Sequence, residues 1–347
     1  MLRKFDFANR LLAWYDKEAR VLPWRSDPTP YRVWISEMML QQTRVETVIP
    51  YFNRFISEIP DIPTLAAIDE DKLLKLWQGL GYYSRALNLK KAAIIIQSEY
   101  GGKLPPDRKT LQKLPGIGPY SAGAISSIAF QQVETLMDGN VLRVIARLKG
   151  IDTDIGEKVT QTGIQEILEG LIPEDRPGDF NQALMELGAT RCLPNGTPLC
   201  DNCPVSDLCL AAIENRTAEI PVKTAKKPRE IQKQTVLVLY HKGAYGIEKR
   251  KNGGLLAKMW ALPMVAGHLN EEECSEYLKD AGYDIASVSL LPPAKHVFSH
   301  IEWNMTGYYV ELDAIGNQSD LTWATPEQVE SQYAIPTAHA FYFKYIK

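Results

Sequence analysis

Along roughly the first two hundred residues, apolar side chains recur three and four positions apart, the spacing of one buried helix face. The pattern predicts helices through ANRLLAWYDKEA from Ala8, VWISEMMLQQTRVETVIPYFNRFIS from Val33, DEDKLLKLWQGL from Asp69, SRALNLKKAAIIIQSEY from Ser84 and VLRVIARLKG from Val141. Pro and Gly punctuate them in LPPD, LPGIGP and EDRPGD. The period then changes. QTVLVLY from Gln234, YGIEKRK from Tyr245 and MTGYYVELD from Met305 are short β-branched and aromatic runs, with one helical stretch, NEEECSEYLKDAG, between them. PVKTAKKPREIQKQ, rich in Lys and Pro, separates the two styles as an exposed connector. The expected architecture is multidomain: an all-α domain over 1–220, a basic linker over 221–233 and an α+β domain over 234–347.

A chain of 347 residues with 45% hydrophobic composition can bury cores of that size. No apolar run is long enough to span a bilayer, and charges interrupt the apolar residues of MLRKFDFANRLLAWYDKE at helical spacing, so a cytoplasmic protein without membrane contact is expected. The formal net charge of −3 excludes a nucleic-acid binder that works through an overall positive field. Any such contact rests on local geometry and on the linker, where Lys223, Lys226, Lys227, Arg229 and Lys233 meet a single acid, Glu230.

Four of the five cysteines, Cys192, Cys200, Cys203 and Cys209, crowd into CLPNGTPLCDNCPVSDLC. Bunching of this kind points to metal rather than disulfides, and four thiolates suit either zinc or an iron–sulfur cluster. Two carboxylates also stand out. Glu37 sits among Trp34, Ile35, Met38, Met39 and Leu40; either it faces solvent from an amphipathic helix, or burial raises its pKa and keeps it protonated near neutral pH. Asp138 precedes the helix of VLRVIARL, as a helix cap or as a fixed charge able to stabilise a cationic sugar.

Upstream of Asp138, LPGIGPYSAGAI reads as helix, tight hairpin, helix, with DRKTLQKL before it and Pro119 at the first helical position after it. Gly116 and Gly118 are expected to take unusual backbone angles and to turn main-chain N–H groups toward an anion. Neither the Lys of a Walker loop nor the strand of a Rossmann motif accompanies them, and a plain turn filled by Ile117 is the simpler alternative.

The hairpin followed by an Asp resembles the helix-hairpin-helix glycosylases related to endonuclease III, and LPWRSDPTPYRVWISEMMLQQTRV resembles the adenine DNA glycosylases of the MutY type. The resemblance implies that Gly116 and Gly118 grip a DNA phosphate, that Glu37 protonates adenine and then assists water, and that Asp138 stabilises the oxocarbenium ion. It places Tyr120 and Asn140 in the active site, Trp24 and Arg25 around the adenine, and Gln42 and Tyr82 as wedges in the opened stack. Strand-cutting members carry a nucleophilic Lys where this chain has Tyr120, which implies base removal without strand cleavage. The four cysteines are implied to hold a 4Fe–4S cluster, although seven residues separate Cys192 from Cys200 where the family commonly has six.

LLAKMWALPMVAGHLNEEECSEYLKDAG resembles the Nudix-like domain of the same family, without the glutamate pattern of a Nudix hydrolase. HVFSHIEW matches the loop that reads 8-oxoguanine, which assigns Phe298, Ser299 and His300 to the lesion. The implied partner is duplex DNA with adenine opposite 8-oxoguanine, engaged by a monomer.

Overall fold

A computed structural model describes residues 4–224, 228–315 and 320–347. The chain divides into two compact units, Met1–Ala67 with Asn88–Ala225, and Ile68–Leu87 with Lys226–Lys347. No helix among the described residues is long and apolar enough to cross a membrane.

The first unit is helical. It opens with α1 (Lys4–Glu18), α2 (Pro23–Ser26), α3 (Pro30–Leu40), α4 (Val45–Glu58) and α5 (Ile62–Ala67). The long apolar pattern from Val33 is thus two helices, broken at Gln41–Arg44 where Gln42 takes a left-handed φ of 56°. α6 (Glu70–Trp77) belongs to the second unit, and α7 (Ser84–Glu99) begins there and continues into the first. α8 (Arg108–Leu111), α9 (Pro119–Phe130), α10 (Gly139–Lys149), α11 (Lys158–Leu171), α12 (Pro177–Thr190) and α13 (Leu210–Ile213) complete the helical part. α3 packs on α9, α9 on α12, and α12 on both α1 and α10.

Gly188 makes the last of these contacts possible. A Cβ there would lie 2.5 Å from the Asn140 Cβ, so only glycine lets α12 close on the first turn of α10. Arg143 then reaches across to donate to the Gly188 carbonyl at 2.9 Å.

The second unit is α+β. Its mixed sheet is built from β1 (Glu230–His241), β2 (Ala244–Lys249), β3 (Trp260–Ala261), β4 (Met264–Ala266), β5 (Asp284–Val297), β6 (Ile301–Ala314) and β7 (Thr322–Ala324), with α14 (Glu271–Asp280), α15 (Pro326–Gln332) and α16 (Ala340–Phe343). The order runs β3-β2-β1-β6-β5, with β4 paired to β1 and β7 to β2. β1 and β6 are parallel; their pairing begins at Glu230↔Ile301. Residues 230–233 are therefore strand and not linker, because their backbone groups find ladder partners despite their polarity. Lys223, Arg229 and Lys233 are exposed, while Lys226 and Lys227 lie outside the described residues. α6 is tied to this unit by Lys249 and Lys258, which pair with Asp71 at 2.8 Å and Glu70 at 2.7 Å.

Candidate active site

Pro30 at the start of α3 and the Thr29 side chain, which accepts from the Arg32 N–H, set the entry of that helix. Its residues 33–39 are all buried, so no solvated face is available to Glu37, which is 5% exposed. Glu37 lines a cavity of about 160 Å³ together with Trp24, Arg25, Tyr120, Asp138 and Asn140. Residues that stand far apart in sequence are thereby brought together in one concavity.

Burial pushes the Glu37 carboxyl up to about 7, against the pull of a hydrogen bond from Tyr120; the neighbouring Asp138 raises it further and Arg25 lowers it. Tyr120 Oη donates to Glu37 Oε2 at 2.9 Å. Asp138 is the N-cap of α10, accepting the Val141 N–H at 2.7 Å through Oδ1. Its other oxygen accepts from Asn140 Nδ2 at 2.8 Å, and Asn140 Oδ1 accepts from Arg143 at 2.9 Å. Burial raises the Asp138 pKa, and these hydrogen bonds oppose the rise by favouring the anion. Capping and cavity lining are thus two uses of one side chain.

Trp24 is buried edge-on against Phe52 at 5.3 Å while also lining the cavity. Arg25 donates to Gln182 Oε1 at 3.2 Å and to Glu186 Oε2 at 2.9 Å. Gln182, Met185 and Glu186 from α12, and Arg20, line the cavity as well. Sequence reasoning passes over these four. The apolar spacing of Phe180, Ala183, Leu184 and Leu187 behind Pro177 is a signal for the helix, but a Glu within it reads as solvent-facing.

In the hairpin, Gly116 has a φ of 80°, and a Cβ would meet the Asn88 Cβ at 2.8 Å and Met38 Cε at 3.1 Å. Gly118 departs from expectation. Its φ of −84° and ψ of −179° are extended, as an N-cap requires, and no heavy atom lies within 4 Å of a Cβ built there. What glycine leaves at 118 is open space at the positive end of α9, not a left-handed turn. Ile117 is buried and fills the gap behind the loop.

Cys192, Cys200, Cys203 and Cys209 all line a second, smaller cavity with Arg147 and Arg191, and none forms a disulfide. Arg147 Nη1 lies 3.3 Å from the Cys192 Sγ, and Arg143 Nε donates to the Cys192 carbonyl at 2.8 Å. Among the described residues no three His, Cys, Asp or Glu side chains converge as a single-ion site requires. All four cysteines line this one small cavity, a donor set of four thiols that suits a metal centre held by four thiolates.

Residues 35–170 match the family model described as HhH-GPD superfamily base excision DNA repair protein, and residues 235–345 match that of the NUDIX domain. The Adenine DNA glycosylase of Mus musculus is 36% identical, over 88% of this chain and 71% of its own length. That of Buchnera aphidicola subsp. Acyrthosiphon pisum is 34% identical, over 90% of this chain and 89% of its own. The chain belongs to the adenine DNA glycosylases. A solved thermostable thymine-DNA glycosylase superposes with a TM-score of 0.56 and 28% identity, covering 61% of this chain and 97% of the other. The protein is a DNA glycosylase, with a helix-hairpin-helix domain and a Nudix-like α+β domain.

In the second unit of this glycosylase, Phe298, Ser299 and His300 form the turn between β5 and β6, closed by the Phe298 N–H on the Ile301 carbonyl at 2.8 Å. Ser299 and His300 are exposed. Phe298 packs edge-on against His296 at 4.6 Å and Trp303 at 4.7 Å, which fixes the ring. Tyr82 shares a 2.8 Å hydrogen bond with Ser299. Tyr82 has a φ of 46° and Gln42 one of 56°, and both are exposed: two non-glycine residues held in the left-handed region.

Proposed function

We propose that this glycosylase removes adenine paired with 8-oxoguanine, or with guanine, by hydrolysing its N-glycosidic bond without cutting the strand. The single observation that carries the reading is the sharing of one cavity by two carboxylates in unlike environments, one of them a Glu pushed up to about 7.

The duplex must give up the adenine from its stack, and Gln42 and Tyr82 serve as the side chains that fill the space it leaves. Their left-handed backbones suit residues held by their surroundings for a purpose other than local stability. The N–H groups at the start of α9, reached past Gly116 and Gly118, take a backbone phosphate. The exposed cations Lys223, Arg229 and Lys233 add sequence-independent contacts.

In the cavity, Trp24 and Arg25 wall the base. Glu37, protonated in a substantial fraction of molecules near pH 7, gives its proton to a ring nitrogen of the adenine, so that the base leaves as a neutral molecule. Charge builds on the sugar as the bond breaks, and the Asp138 carboxylate, aimed by Val141 N–H and Asn140, stabilises it. Glu37, now ionised, accepts a proton from the attacking water. Tyr120 steadies Glu37, and the cations of the lining are the guanidiniums Arg20 and Arg25, which form no imine. This supports hydrolysis without a lyase step.

Cys192, Cys200, Cys203 and Cys209 would hold a 4Fe–4S cluster, which when bound supplies a rigid centre for the 192–209 loop. Phe298, Ser299 and His300 read the oxidised guanine, by one ring face and by hydrogen-bonding groups. The protein acts as a monomer on duplex DNA.

The test is a duplex with one adenine opposite 8-oxoguanine, incubated with protein and then treated with alkali. Free adenine and alkali-dependent scission are expected, and scission without alkali would overturn the hydrolytic assignment. Glu37→Gln should form no product while still binding the duplex.

A further inference from the structure

Glu186 is a buried carboxylate in the cavity wall for which the proposed chemistry has no use. Its side chain is 0% exposed and holds two guanidiniums. Arg20 approaches with Nε at 2.7 Å and Nη2 at 3.1 Å, a two-point fork, and the Arg20 main-chain N–H adds a third bond at 3.2 Å. Arg25 Nη2 donates at 2.9 Å to Oε2, the oxygen that also accepts from Arg20 Nη2. An isolated buried carboxylate would be costly, but here the charge is met on several sides.

Two consequences reach the cavity. First, Arg25 held by Glu186 points its Nε at Gln182 Oε1. A guanidinium only donates, so the carboxamide oxygen must face it, and the amide N–H groups of Gln182 are left for a guest in the cavity. Second, Glu186 offsets the positive charge that Arg20 and Arg25 place in the wall beside Glu37. Among the charged and polar groups that line the cavity with Glu37 are Arg20, Arg25 from α2, Tyr120 from α9, Asp138 and Asn140 at the start of α10, and Gln182 and Glu186 from α12, with the Met185 thioether beside them.

We propose that Glu186 is a positioning residue of the base pocket, which fixes Arg25, through it orients the Gln182 amide, and offsets the guanidinium charge beside Glu37. The proposal rests on the reading of Glu37 as proton donor. The physical sense is that Arg25 lowers the Glu37 pKa, and an Arg25 without its counter-ion lowers it more.

Single-turnover adenine release, measured from pH 5.5 to 9 on the duplex with 8-oxoguanine, tests it. Glu186→Gln keeps the shape and removes the charge; the alkaline limb should move down by about one pH unit, with the plateau at low pH less affected. Glu186→Asp keeps the charge and should restore the limb. Glu186→Gln combined with Arg20→Gln removes one charge of each sign and should return the limb toward its original position. An unmoved limb in folded Glu186→Gln overturns the proposal, as does failure of every variant to fold, which assigns Glu186 to the scaffold alone. If Glu37→Gln still releases adenine, the underlying acid assignment falls instead, so the two failures are distinct.

Discussion

Tyr120 Oη donates a 2.9 Å hydrogen bond to Glu37 Oε2, joining the first turn of α9 to the buried face of α3. The bond favours the ionised carboxyl, whereas burial favours the neutral one, and burial is the larger effect. Tyr120→Phe keeps the ring and removes the donor. The Glu37 pKa should then rise, and the alkaline limb of the pH–rate profile should move up by roughly half a unit to one unit. Single-turnover rates across that range check it; a limb that stays in place would separate the tyrosine from the acid.

Glu37 also carries a stability cost whose sign can be worked out. Its pKa in the folded chain is about 7 against an ordinary 4.5. The folded state therefore holds a proton that the unfolded state has lost between those values. Stability falls as pH rises through this window, and levels off above pH 7 at a loss on the order of 3 kcal/mol. Glu37→Gln cannot ionise and should remove the slope. Thermal melting should show variant and parent similar below pH 4.5 and the variant more stable at pH 8. A parent that is equally stable at both pH values, relative to the variant, would contradict the burial of an ionisable acid.

Asp138 allows charge and helix capping to be measured separately. Asn caps a helix about as well as Asp, whereas Ala gives up about 1 kcal/mol. Asp138→Asn keeps the cap but gives up the bond from Asn140; it should melt below the parent and above Asp138→Ala, and release no adenine. Asp138→Ala should be equally inactive and melt lower. If Asp138→Asn keeps full activity, the carboxylate is only the cap of α10.

The legible parts of this site are those whose signal is local. Glu37 is flanked by apolar residues on its own helix, and that helix proves buried throughout 33–39. Asp138 stands one residue before the helix it caps. The hairpin announces itself by Pro119 and its glycines, although Gly118 turned out extended because it is a cap. The unread half of the cavity wall depends on long-range pairing. Glu186 is made buriable by Arg20 and Arg25, which no spacing along the chain reveals. In the second unit, Pro292 and Pro293 hide β5 from a strand reading. The ladder with β6 skips between Leu291 and Ala294, and that irregularity accommodates residues that cannot donate. The first four residues of β1 are likewise hidden, because three of them, Glu230, Gln232 and Lys233, are polar.

A continuous run of hydrogen bonds leads from the cysteine loop to the second carboxylate. The Cys192 carbonyl accepts from Arg143 Nε, Arg143 Nη2 donates to Asn140 Oδ1, and Asn140 Nδ2 donates to Asp138 Oδ2, at 2.8, 2.9 and 2.8 Å. Loss of order in the 192–209 loop should therefore remove one anchor of Arg143, which keeps its bonds to the Gly139 and Gly188 carbonyls, and loosen the clamp on Asp138. Arg143→Gln breaks the run and keeps all four cysteines in place. It should leave bound iron unchanged and slow adenine release by about tenfold or more, the effect of one charge-assisted hydrogen bond on the barrier. If the four cysteines hold the proposed cluster, Cys203→Ser should lose iron and slow release by at least as much. Colorimetric iron per chain and single-turnover rates on the same preparations check both. A Cys203→Ser protein that has lost its iron and still turns over at the parental rate would show that the run transmits nothing from the loop to Asp138.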